Sequence, residues 1–220
     1  NAVKMATALG KTDDVKLYSD RLNIQRKATH KLSYNAETGK YVNGQQVDQA
    51  FALLAGVTPE SERKKVYDNL VDNVLYKFPY YDTGSSGQAL YTRYFIESGE
   101  RMDLIYELLQ DKHHPSYGYF IEQGKTVWPE RWSAVGVSQI HTCYTGIGGY
   151  FIKGFGGIRP SPDNPGMKDM IIKPALVGDI SFANTEFESM YGDVVVNWKK
   201  QEVGAKFHIV VPINTSAKVY

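Results

Sequence analysis

The chain has 220 residues, and 25 Lys+Arg against 24 Asp+Glu leave a formal charge of +1, which gives no electrostatic reason to expect nucleic acid or an anionic membrane as a partner. No run approaches the roughly 18 successive apolar residues of a membrane span, and the lone Cys143 excludes an internal disulfide framework and offers no metal-ligand spacing. At 42% hydrophobic, the chain can bury a core in one or two domains.

The elements begin with a helix over about residues 13–34. In "QVDQAFALLAG", Val47, Ala50, Phe51 and Leu54 fall at i, i+3, i+4 and i+7, one face of a helix closed by Gly56. "TPESERKKVYDNLVDNVLYKF" follows, with Thr58 as N-cap, Pro59 at the first helical position, and an apolar stripe of Val66, Leu70, Val74 and Phe78. "GQALYTRYFIESG" and "RMDLIYELLQD" are two more helices parted by Gly99, and another covers about 139–155. Short loops join them, so neighbours are expected to pack as antiparallel pairs. Between Arg159 and Gly166 three prolines break any helix. Beyond them, "KDMIIKPAL", "DISFANTEF", "DVVVNWKK" and "KFHIVVPI" are short alternating or β-branched runs that predict an antiparallel β-domain, with Phe207, Ile209 and Val211 on one face. The architecture read from the sequence is therefore multidomain, α then β. The first residue continues a helical pattern without an initiator Met, and the last lies in an apparent strand. The chain is expected to be a piece of a longer protein, its sandwich losing its last strands at the cut.

Several motifs are missing. There is no P-loop, no H-E-x-x-H and no G-x-S-x-G elbow, and "GIGGYFIKGFGG" lacks the spacing of a dinucleotide fingerprint. No metal or cofactor is expected. What remains is four loops at helix junctions: "PYYDTGSSG", "HHPSYGYF", "KTVWPERW" and "SQIHTCYTG". In an antiparallel helical array every second junction lies at the same end, so such loops converge on one rim. In "TVWPERW", Glu130 stands between Trp128 and Trp132. An acid in that company is either a structural ion pair, with both tryptophans packed beneath the loop, or a shielded acid–base group with Arg131 as a nearby cation. Composition leaves both readings open. His141 is either a backbone-satisfied residue at a helix start or a ligand contact. Tyr117 and Tyr119 read as loop packing, His30, His113, His114 and His208 as surface or strand residues, and Cys143 as a small buried hydrophobe.

The ordered set "GQQVDQAFALLAGVTPESERKKV", "TGSSGQALYTRYFIESGERMDLIYELL", "PSYGYFIEQGKTVWPERW", "SQIHTCYTGIGGYF" and "GGIRPSPDNPGMKDMIIKP" resembles the C-terminal half of α-L-rhamnosidases of glycoside hydrolase family 78. The resemblance covers nearly the whole chain. It implies part of an (α/α)6 barrel followed by an antiparallel β-sandwich, with residues 1–160 the C-terminal half of the catalytic barrel and 161–220 a truncated sandwich domain. It implies an inverting hydrolase releasing terminal α-L-rhamnose from glycosides or polysaccharides, with Glu130 as general base and His141 as a contact to the sugar. Trp128 and Trp132 would then wall the sugar ring. Gln139 and Ile140 depart from the family's pattern before the histidine, and Lys125 stands where a small residue is usual, which points to a charged or extended substrate. The family's general acid lies in an acidic segment absent from this sequence. The isolated piece is therefore expected to be inactive, with the remainder of the parent chain as its necessary partner. The alternatives are another inverting (α/α)6 glycosidase acting on an acidic polysaccharide, and a carbohydrate-binding protein without catalysis. An extracellular or periplasmic location follows from such substrates alone.

Overall fold

The computed structural model describes residues 1–164 and 166–220; Pro165, one of the prolines at the expected boundary, lies outside the described residues. The chain forms two compact units, Asn1–Pro79 and Tyr80–Tyr220.

The first unit holds α1 (Ala2–Ala8), α2 (Thr12–Ser33), a short hairpin of β1 (Tyr34–Asn35) and β2 (Lys40–Tyr41), α3 (Gln46–Leu54) and α4 (Glu60–Asp72). The hairpin is not legible as a strand pattern. It is held by side chains: His30 stacks on Tyr34 at 4.6 Å, and its Nδ1 lies 2.7 Å from the Tyr41 hydroxyl. His30 is thus a packed residue rather than a bare surface one.

Helix α3 forms where expected, but its buried face is rotated by one position. Gln46, Gln49, Ala50 and Leu53 point inward, and Phe51 is 48% exposed. The reason is polar. Gln46 Nε2 donates to the Phe78 carbonyl at 3.1 Å, and Gln49 Oε1 accepts from the Tyr41 N–H at 3.3 Å, so two glutamines are buried on hydrogen bonds. Helix α4 buries Val66 and Leu70 as predicted. Its N-cap is Pro59, with no side-chain cap, so Thr58 does not serve as the cap. At Asn73–Lys77 the helix widens into a π-type turn. That extra residue per turn breaks the 3.6 period, and Phe78 leaves the stripe for 39% exposure.

The second unit begins with α5 (Ser85–Ser98) and α6 (Met102–Gln110). Gly99 parts them in the left-handed region, φ 65°, its N–H donating to the Phe95 carbonyl at 2.8 Å. Next comes α7 (Tyr117–Glu122), a helix within what reads as loop. Its N-cap is Ser116, whose Oγ accepts from the Tyr119 N–H at 2.9 Å. The helix expected from 139 starts later, as a 3₁₀ turn at Thr142–Tyr144 and then α8 (Ile147–Tyr150), which widens at Phe151–Phe155.

The strands form two three-stranded sheets. One has the order β3 (Ile158–Pro160), β4 (Asp169–Ile172), β8 (Ser216–Val219); the other has the order β5 (Phe182–Ser189), β6 (Gly192–Lys200), β7 (Ala205–Val210). Pairing is antiparallel except between β4 and β8, which run parallel, a departure from the fully antiparallel expectation. The return of the chain to β4 from 47 residues away is a tertiary fact that no local pattern encodes. Alternation along β6 buries Val194, Val196 and Trp198. The valines meet Ile158, Met167, Met170 and Ile172 in the sandwich core. Trp198 Nε1–H donates to the Phe155 carbonyl at 2.9 Å, fastening the sandwich to the helical segment before it.

Candidate active site

The loops 80–84, 111–116 and 123–141 of the second unit meet around one aromatic cluster. Tyr81, Tyr117, Phe120 and Tyr144 are each 2% exposed or less, and Trp132 lies at their centre with 8% exposed. Its ring stacks on Tyr81 at 5.4 Å and Phe120 at 5.5 Å, touches Tyr144 at 4.2 Å, and meets Tyr117 edge-on at 5.5 Å. Its Nε1–H donates to the Thr83 carbonyl at 2.8 Å, which satisfies the polar edge of a buried indole. The Tyr117 hydroxyl donates to the Tyr144 carbonyl at 3.0 Å. Burial pushes the Tyr144 hydroxyl up to about 12, with the Cys143 side chain adding to the rise. Burial raises Tyr81 and Tyr117 further, so all three stay protonated at neutral pH.

This cluster is the platform on which the loop around Glu130 rests. The Glu130 N–H donates to the Ser138 carbonyl at 2.9 Å, and the His141 N–H donates to the Trp128 carbonyl at 3.0 Å. Two rungs therefore hold Trp128 and Glu130 against Ser138 and His141. Lys125 Nζ adds a third tie, donating to Gln139 Oε1 at 3.1 Å.

Glu130 is half-buried, and its carboxylate has no ion-pair or hydrogen-bond partner among the described residues. Arg131 is exposed and forms no pair with it, as expected of neighbours that point apart in a loop. His141 is also half-buried and caps the 3₁₀ turn, its Nδ1 accepting from the Cys143 N–H at 3.2 Å. With Nδ1 as acceptor, the ring's hydrogen sits on Nε2, which has no hydrogen bond among the described residues.

Trp128 is half-buried, edge-on to Tyr117 at 5.1 Å, and keeps part of its ring open. Trp132 lies inside the cluster instead and backs the loop from beneath. Tyr81, Thr83 and Tyr144, which position Trp132, were not singled out by the sequence reading. The signals for them are the ring-bearing loops themselves, "PYYDTGSSG" for Tyr81 and Thr83 and "SQIHTCYTG" for Tyr144. Tyr117 is the packing residue expected. No group of three or more His, Cys, Asp or Glu side chains is placed to hold a metal ion among the described residues, and no described helix is long and apolar enough to cross a membrane.

The second unit thus carries an unpaired carboxylate, an imidazole and a partly open indole on an aromatic platform, within helices that are followed by a sandwich. Residues 1–154 match the bacterial alpha-L-rhamnosidase 6 hairpin glycosidase domain, and residues 157–220 match the bacterial alpha-L-rhamnosidase C-terminal domain. The chain belongs to the bacterial α-L-rhamnosidase family. It is 30% identical to an α-L-rhamnosidase of Streptomyces avermitilis, over 100% of this chain and 22% of that protein. The crystal structure of Streptomyces avermitilis α-L-rhamnosidase complexed with L-rhamnose superposes with a TM-score of 0.90 at 29% identity, covering 99% of this chain and 22% of that one. The α-L-rhamnosidase from Dictyoglumus thermophilum gives the same TM-score at 26% identity, covering 99% and 25%. The chain thus spans about a quarter of the length of the relatives it matches.

Proposed function

We propose that these residues form the base-side wall of an inverting glycoside hydrolase that releases terminal α-L-rhamnose. Residues 1–160 are assigned to the C-terminal half of the catalytic barrel and 161–220 to the sandwich domain. The observation that carries the reading is the Glu130 carboxylate, half-buried, without a cation, and held by its own backbone next to the His141 strand of the loop. A purely structural acid in that position would be expected to have a partner.

In the proposed reaction the Glu130 carboxylate takes a proton from a water. That water's oxygen attacks the anomeric carbon as the bond to the leaving oxygen breaks. The leaving oxygen takes its proton from a carboxylic acid supplied by the rest of the complete chain, roughly 6.5–9.5 Å from Glu130 across the sugar. His141 Nε2–H donates to a sugar hydroxyl, and the open part of Trp128 lies against the ring's apolar face. Trp132 contributes by holding the loop in register. Without the acid, a donor worth typically about 10²–10⁴-fold in rate is lost, so the 220-residue piece alone is inactive.

The test is hydrolysis of p-nitrophenyl α-L-rhamnoside by the complete protein, with the first-formed sugar followed by proton NMR. The expected product is the β-anomer, appearing before mutarotation. Retention of the α-configuration would overturn the mechanism, and hydrolysis of other aryl glycosides alone would overturn the substrate.

A further inference from the structure

The outer face of the β5–β6–β7 sheet carries a groove of about 390 Å³ that the chemistry above does not use. Because β6 turns Val194, Val196 and Trp198 inward, strand alternation places Asn197 and Lys199 on the opposite face. The register then sets two rows across it. Phe182 lies opposite Lys199, which lies opposite Lys206; Asn184 lies opposite Asn197, which lies opposite His208.

The first row puts two ammonium groups on directly opposed residues of neighbouring strands, an arrangement that destabilises a sheet unless something offsets it. Neither lysine has a carboxylate partner among the described residues. Lys200, one position on, is by contrast engaged: its Nζ donates to the Gly178 carbonyl at 2.8 Å. The pair is flanked by the Phe182 ring, 57% exposed, a flat apolar surface beside concentrated positive charge. In the second row, Asn197 Oδ1 accepts from the Thr185 N–H at 3.2 Å. That bond fixes the amide and turns its NH₂ group into the available donor, beside an amide and an imidazole that are both exposed.

We infer that this groove binds an anionic glycan segment. The acidic group of one sugar lies between Lys199 and Lys206, where its single negative charge offsets their mutual repulsion. An apolar sugar face rests on Phe182, and hydroxyls meet the Asn184–Asn197–His208 row. A partner held by charge alone would have no use for the ring or the amide row, and a neutral glycan would leave the lysines opposed. The groove's size suits a short oligosaccharide stretch. The inference does not rest on Glu130, because binding here needs no turnover.

Affinity electrophoresis of the protein through polygalacturonate, dextran sulfate and neutral dextran tests it. Retardation by an acidic polymer and not by dextran is expected, and polygalacturonate against dextran sulfate distinguishes a carboxylate from a sulfate as the recognised group. Phe182→Ala and the pair Lys199→Gln/Lys206→Gln should each weaken retardation about tenfold, while far-UV circular dichroism stays unchanged because all three side chains face outward. Absence of retardation by either acidic polymer would overturn the proposal. So would retardation that survives Phe182→Ala, which would reduce the face to a bare charge patch, or equal retention by double-stranded DNA.

Discussion

Trp132→Ala probes how the loop is built. The indole is 8% exposed, contacts four rings and satisfies the Thr83 carbonyl. Truncating a buried Trp costs about 3–5 kcal/mol, most of it lost burial plus the cavity left behind. Leaving the part-buried Thr83 carbonyl without its donor falls within that range at about 1 kcal/mol. In a chain of this size, such a loss lowers the unfolding midpoint by about 10 °C. Trp132→Phe keeps a ring in the stack and loses the hydrogen bond and some volume, so about 1–2 kcal/mol is expected. Urea unfolding followed by far-UV circular dichroism measures both, and hydrogen exchange locates the effect. Amides of Glu130 and His141, whose ladder rests on this platform, should lose protection in Trp132→Ala. A loss under about 1 kcal/mol with the ladder amides unchanged would mean that the loop does not depend on the cluster beneath it.

Three further perturbations follow. A Cβ added at Gly118 would lie 2.4 Å from the Asp111 carbonyl oxygen, a backbone atom, so Gly118→Ala should cost about 2 kcal/mol or more, whereas Gly124→Ala, with φ 69° and open space, should cost about 1 kcal/mol by thermal melting. Ile172→Ala, at 0% exposure in the sandwich core, should cost about 2–5 kcal/mol, read by denaturant midpoint. The Arg101 guanidinium, hydrogen-bonded to Asp103, holds that carboxyl below its ordinary 3.8 against the opposing effect of burial. A depressed folded value means that the stabilisation is present above the ordinary carboxylate range and lost as pH falls through the folded value. The stability gap between wild type and Asp103→Asn should therefore be open at pH 7 and close as pH falls beneath the ordinary carboxylate range.

Much of this fold is legible in the sequence where the signal is local. Gly99 marks the α5–α6 break because a left-handed residue favours glycine. The alternation in "DVVVNWKK" gives the buried face of β6 because strand period and burial coincide. The misreadings share a cause, namely hydrogen bonds or contacts that sequence spacing does not carry. Gln46 and Gln49 displace Phe51 from the buried face of α3 because their amides find partners elsewhere in the first unit. Six-residue α7 is too short to show a period and is set by its Ser116 cap. The loop with Glu130 stood out through its two tryptophans, but their unequal roles did not. Trp132 is buried and held by a hydrogen bond to a residue 49 positions away, whereas Trp128 has no such anchor among the described residues and stays partly open.

The most direct measurement is the kinetics of Glu130→Gln in the complete protein on p-nitrophenyl α-L-rhamnoside. Gln keeps the shape and the backbone ladder but removes the base. The expected result is a kcat lower by about 10²–10⁴-fold with KM little changed, in a folded protein with a wild-type unfolding midpoint. A kcat within a few-fold of wild type would contradict it, leaving Glu130 as a structural residue and the base elsewhere in the chain.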